Sequence, residues 1–134
     1  MLPVPAAEGM AFSAGFHPPW NLPMPDINPL SEHYHVCGQI QPSDVADIAS
    51  AGYTTLVCMR PDDEMPGQPR RAEIETEAQV HGLAFHFIPA RSGAVTPEQA
   101  MELREILARS AGPVLAYCAS GNRCTLAWRM ASAF

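Results

Sequence analysis

Val114-Leu115-Ala116-Tyr117-Cys118-Ala119-Ser120-Gly121-Asn122-Arg123 decides the reading of this chain. Four apolar residues in a row read as a strand buried on both faces. The strand delivers Cys118 to a short turn of small residues, where Gly121 supplies the backbone freedom a tight turn needs. A helix begins at or just after Arg123. Successive N–H groups in such a strand-turn-helix converge on one point, at the positive end of the helix, and form an anion-binding nest. A thiol at that point is favoured as thiolate. The planar fork of Arg123 can grip two oxygens of a bound oxyanion. Cys118 is therefore the candidate nucleophile, Ala119, Ser120, Gly121 and Asn122 the candidate cradle, and Arg123 its cationic end. The alternative is a core cysteine that merely closes a strand.

Working outward, the same alternation recurs. His35 to Gly38 reads as a short strand, and Pro42 as a first helical residue before the apolar positions Val45, Ile48 and Ala49, with a stop at Gly52. Tyr53 to Met59 is β-branched and apolar, a buried strand. Arg60 to Pro69 is a loop rich in Pro, Asp and Gly. Ala72, Ile74, Ala78 and Val80 space out a helix that stops at Gly82. Leu83 to Ile88 is another strand. Thr96, Pro97 and Gln99 read as an N-cap, a first-turn proline and a capping-box partner. That helix runs to Gly112-Pro113, and Thr125 to Phe134 is a final helical segment. Strands alternating with helices of this length predict an α/β fold, a mostly parallel sheet flanked by helices on both faces. Ligands on such sheets bind at the carboxyl ends of strands. The loops from Arg60 and from Cys118 both lie there.

The chain has 134 residues, a net charge of −6, 47% hydrophobic and 16% charged residues. That length supports one core without staples. The 14 acidic residues face 8 basic ones, all Arg. Nucleic acid and anionic membrane are therefore unfavourable partners. No apolar run reaches the roughly 18 to 20 residues of a spanning helix, and no signal peptide is evident. Four scattered cysteines do not make a disulfide framework, and a cytoplasmic protein with reduced thiols is the expectation. Seven of the fourteen prolines fall within residues 1–29, so 1–30 reads as an extended arm and 31–134 as the folded domain. Phe12, Phe16, Trp20 and Leu22 either pin the arm to a surface or belong to a loose tail. The chain ends eleven residues past Arg123. Either the last helix is short or the natural protein is longer, with room for a second catalytic domain.

The run from Cys118 to Trp128, with His33 to Ile40, Arg60 to Glu64, Pro66 to Pro69, Ile88-Pro89 and Ser92-Gly93, resembles the phosphatase-like domain of beta-lactamase hydrolase-like proteins, domain of unknown function 442. The likeness covers residues 31–130. It implies a cysteine-phosphatase-like fold, like that of dual-specificity phosphatases. Some members are fused to a persulfide dioxygenase and regarded as sulfurtransferases, and others have been called phosphatases. A fused or separate persulfide dioxygenase is therefore an implied partner.

Both reactions use one thiolate, and the sequence favours sulfur. Cysteine phosphatases place five residues between Cys and Arg, rhodanese-type sulfurtransferases four, and this chain has four. Tyr117 stands where phosphatases usually have His. Ser92 stands near the place of their general-acid Asp and cannot protonate an alkoxide; Asp62 or Asp63 would have to substitute. The favoured expectation is sulfur transfer from thiosulfate or a persulfide through a Cys118 persulfide to a thiol acceptor. The alternative is hydrolysis of a phosphorylated substrate through phosphocysteine, and a third reading is a catalytically dead binding module. No metal or organic cofactor is called for. Asp62 is a site candidate, and the neighbouring acids also fit a plain solvated turn. Cys124, where the family has Ser or Thr, is a stand-in donor, a resolving thiol or a simple helix-start residue. His33 and His35 share a strand face and read as packing or substrate contact.

Overall fold

The strand β5 (Val114–Tyr117) is the centre of the sheet, buried at every position. In the computed structural model, which describes residues 26–134, it runs parallel between β2 (Tyr34–Cys37) and β3 (Thr55–Cys58). The strand β4 (Ala84–Phe87) lies parallel outside β3. At the other edge a two-residue strand, β1 (Asn28–Pro29), pairs antiparallel with β2, giving the order β1-β2-β5-β3-β4. The sheet thus starts inside the stretch read as arm. A proline is tolerated there because an edge strand needs only half of its backbone groups paired. Phe12, Phe16, Trp20 and Leu22 lie outside the described residues.

Helices cover both faces, as a parallel sheet requires. On one face α1 (Val45–Ser50), entered through a 3₁₀ turn at Pro42–Asp44, and α2 (Arg71–Val80) bury Val45, Ile48, Ile74 and Ala78 against Leu56, Leu115 and Tyr117. On the other, α3 (Pro97–Arg109) and α4 (Asn122–Ser132) bury Leu103, Ile106 and Ala127 against Val36, Val57 and Ala116. The alternation along β5 explains the split: Val114 and Ala116 face α3 and α4, Leu115 and Tyr117 face α1 and α2. This is the mostly parallel, cysteine-phosphatase-like architecture expected from the sequence.

Two helix starts bear on the site. Thr96 accepts from Gln99 N at 3.1 Å and Gln99 Oε1 accepts from Thr96 N at 3.0 Å, a complete capping box. The same Gln99 donates to the Pro89 carbonyl at 2.7 Å, so the cap of α3 also fixes the loop after β4. The first turn of α4 is anchored from across the sheet. Tyr34, fully buried, donates its hydroxyl to the Cys124 carbonyl at 2.9 Å and stacks on Trp128 with ring centroids 6.4 Å apart.

Candidate active site

All four parallel strands end at one edge of the sheet, and backbone hydrogen bonds sew their exits together. Cys118 N donates to the Cys37 carbonyl and Gln39 N to that of Ala119, both at 3.4 Å. Met59 N donates to Tyr117 O at 2.9 Å, and Ala90 N to Met59 O at 3.1 Å. Gly38 is required where the exit of β2 passes the cysteine loop. A Cβ there would stand 2.9 Å from the Ala119 carbonyl oxygen, backbone that cannot swing aside. Gly121 caps α4 with φ of 92°, a left-handed conformation that other residues enter only with strain.

Cys118 sits at the bottom of this junction, fully buried, and Gly121 N donates to its Sγ at 3.0 Å. Its pKa is lowered to about 5. The largest cause is a hydrogen bond from the Cys124 thiol; burial opposes, and the backbone N–H groups of Cys124, Ser120 and Arg123 reinforce the shift. Burial above all pushes Cys124 well up, with the neighbouring Cys118 charge adding to it, so Cys124 stays a protonated donor. Cys37 and Cys58, on the far side of the loop, are buried and also pushed up, Cys37 to about 12. One thiol of the four is held as thiolate at neutral pH.

That asymmetry has a measurable form. Because the folded-state value lies below the ordinary one of 9.0, the thiolate persists as pH falls until about 5 and is lost below it. The rate of Cys118 alkylation by iodoacetamide should therefore titrate with a midpoint near 5. In Cys124→Ala the midpoint should rise by about 1 to 2 units, the worth of one charge-assisted hydrogen bond. Cys124→Ser, which restores a donor, should bring it back down. A wild-type midpoint above 8 would show that the loop does not stabilise the thiolate.

Arg123 is buried at the start of α4. Its Nη1 donates to Glu64 Oε2 at 2.6 Å and to the Ala90 carbonyl at 2.9 Å, and its Nη2 donates to Glu64 Oε1 at 3.0 Å. Glu64 also accepts from Arg60 Nε at 2.8 Å, and Arg60 Nη1 donates to Gln39 Oε1 at 3.0 Å. Four strand exits are tied through this chain of side chains. Arg123 first and Arg60 second hold the Glu64 carboxyl below the usual carboxylate range.

The acid that the fold brings to Arg123 is thus Glu64 and not Asp62. Asp62 Oδ1 accepts from Arg71 N at 2.8 Å and its other oxygen lies 3.9 Å from Arg70 Nη2, so this carboxylate caps α2. The physical reason is Asp63, whose φ of 64° turns the chain between its neighbours and sends their carboxylates to different partners. The spacing of Arg60 and Glu64, four apart, was the only sequence signal for Glu64. Ser92 is exposed in the turn after β4. His35 Nδ1 lies 2.8 Å from the Tyr53 hydroxyl, an internal contact away from Cys118's hydrogen bonds. Among the described residues no group of three His, Cys, Asp or Glu side chains is placed to hold a metal, and no helix is long and apolar enough to cross a membrane.

A four-stranded parallel core with a thiolate at the head of a helix and an arginine closing its loop defines a phosphatase-like cysteine domain. The chain belongs to the family described as the phosphatase-like domain of beta-lactamase hydrolase-like protein, whose model matches residues 26–134. It is 29% identical over 94 residues to the beta-lactamase hydrolase-like protein of Agrobacterium fabrum, covering 70% of this chain but 22% of that protein. The chain therefore spans under a quarter of the length of that curated relative. A crystal structure from Neisseria meningitidis, of a protein put forward as a phosphatase, superposes with a TM-score of 0.71 at 34% identity, covering 76% of this chain and 72% of that one. The phosphotyrosine complex of Pseudomonas aeruginosa TpbA superposes with a TM-score of 0.56 at 19% identity, over 75% and 58% of the two chains, a likeness of fold. These comparisons correct the preference drawn from the sequence: they back the phosphatase alternative and lend none to sulfur transfer.

Proposed function

We propose that this domain is a cysteine-dependent phosphatase acting on phosphate monoesters. The observation that carries the reading is the lowered pKa of Cys118 inside a loop that Arg123 closes, on a phosphatase-like fold. The Cys118 thiolate attacks phosphorus, the ester P–O bond breaks, and the phosphoryl group passes to sulfur. Water then cleaves the S–P bond, releasing inorganic phosphate and the thiolate. Loop N–H groups and Arg123 stabilise the charge on the equatorial oxygens throughout.

The leaving group is where the chain constrains its substrate. Asp62 is engaged at α2, Glu64 is held ionised by Arg123, and Ser92 carries no useful acid. Phosphates of phenols leave with the least need of a proton donor, so aryl phosphates are the favoured class. Sulfur transfer is a second reading on one specific observation, the four residues between Cys118 and Arg123. The test is hydrolysis of p-nitrophenyl phosphate beside intact mass spectrometry after each candidate donor. Turnover with an acid-quenched adduct of about 80 Da at Cys118 is the expected result. A gain of about 32 Da from thiosulfate or glutathione persulfide, with no hydrolysis, would install the sulfur reading instead.

A further inference from the structure

A guanidinium has five N–H donors in a fixed plane, and three on Arg123 are already committed. The Glu64 carboxylate takes the end-on pair, one from Nη1 and one from Nη2, and the Ala90 carbonyl takes the other Nη1 donor. What remains is Nε–H with the second Nη2–H, side by side on a single edge, a fork that fits two oxygens of one anion. After Glu64, the Cys118 thiolate acts on the guanidinium by its charge and by a hydrogen bond, so this remaining edge is turned toward the nucleophile in the resting site. Glu64 cannot drift from its place, since Arg60 holds its Oε1 and Gln39 holds Arg60. The Arg123 side chain is only 7% exposed, against 26% for Glu64, so the carboxylate closes the outer side of the arginine.

We propose that Glu64 is a positioning residue: it clamps the outer edge of Arg123 so that the Nε–Nη2 edge alone is presented to the anion beside Cys118. The clamp rests on reading Cys118 to Arg123 as an anion-holding thiolate site, and serves a phosphate or a sulfonate alike. It also differs from the opposite role, in which Glu64 is a built-in competitor that an incoming anion must displace. Without the carboxylate, Arg123 keeps its charge but loses the partner that fixes its plane. Anion affinity and orientation then fall, while the Cys118 thiolate, held by Cys124 and the loop amides, persists.

Two alkylating reagents separate these effects in the full chain. Iodoacetate carries a carboxylate that Arg123 can hold, and iodoacetamide is neutral, so the ratio of their rates at Cys118 reads the anion edge apart from the thiolate. In Glu64→Gln the ratio should fall about tenfold, with the iodoacetamide rate within about twofold of wild type. In parallel, protection of Cys118 by inorganic phosphate should need about tenfold more phosphate. An unchanged ratio would overturn the proposal, and a raised one would show a competitor. Should the Gln variant not fold, Glu64→Asp decides. Its shorter carboxylate keeps the charge but cannot reach both Nη groups from its Arg60 contact, and a wild-type ratio there would overturn the clamp. A wild-type ratio no higher than that of glutathione would sink the anion site itself, and the clamp with it.

Discussion

Cys118→Ser should lose at least about 10⁴-fold in turnover while keeping the wild-type melting curve. The substitution exchanges one small atom for another at a position with no exposed surface, and the Gly121 N–H keeps an acceptor. What vanishes is the charge. A thiol whose pKa is lowered to about 5 is ionised at neutral pH, and a serine hydroxyl with the same donors is not. Cys37→Ser and Cys58→Ser supply the contrast. Both residues are buried and both thiols are pushed up, so neither carries a thiolate to lose. Each swap hides a hydroxyl in an apolar layer, which costs about 1 to 3 kcal/mol when no partner is found. Cys58 already has one partner, the Arg60 carbonyl at 3.3 Å, so its serine should be the milder of the two. The measurement is kcat for an aryl phosphate together with a urea unfolding midpoint for each variant. Turnover surviving in Cys118→Ser would remove Cys118 from the chemistry, and turnover lost in Cys58→Ser without a stability change would bring Cys58 into it.

Much of this site was legible because it is local. Cys118, the loop and Arg123 lie within six residues, and the apolar run before them fixes a buried strand whatever the rest of the chain does. The capping box at Thr96 and Gln99 likewise depends on residues three apart. The contacts that escaped reading are distant ones. Glu64 meets Arg123 across 59 residues, and Tyr34 meets the Cys124 carbonyl across 90. Apart from the four-residue spacing of Glu64 from Arg60, nothing in Asp62-Asp63-Glu64 distinguishes the three carboxylates as a string. The left-handed turn at Asp63 does so, and backbone conformation is not written in composition. The preference for sulfur over phosphate, which the comparisons do not support, came from equally local features. The length of the loop and the serine at position 92 describe the cradle's size and one missing helper. They do not report the electrostatics of the whole sheet edge, where Arg60, Glu64, Gln39 and Arg123 are interlocked. The family to which the chain belongs is phosphatase-like, and loop length, Tyr117 and Ser92 together were too thin a basis to prefer sulfur.

Arg123→Lys should lower kcat/KM by about 10² to 10³-fold, the cost of removing a charge-stabilising donor from a reacting oxyanion. The charge survives in this variant, so the loss isolates geometry. A lysine ammonium is a compact point charge with three donors and no fixed plane. It can meet Glu64, the Ala90 carbonyl or the anion, and it cannot span all three as the guanidinium does at 2.6, 2.9 and 3.0 Å to the first two groups. Glu64 is the stronger attraction in the resting state because it is fixed by Arg60 and ionised. The lysine should therefore settle there and leave the anion side bare. The deficit should appear as weaker protection of Cys118 by inorganic phosphate and as a lower kcat, because Arg123 positions and neutralises the equatorial oxygens of the group in transfer. Iodoacetamide should still alkylate Cys118 at a rate near wild type, since Cys124 supplies the largest part of the thiolate's stabilisation. Stability should fall modestly through the loosened Ala90 carbonyl, which ties the exit of β4 to α4. If kcat/KM and phosphate protection both stayed within about threefold of wild type, charge alone would suffice. Arg123 would then be a tie between the sheet and α4, with the loop amides carrying the anion by themselves.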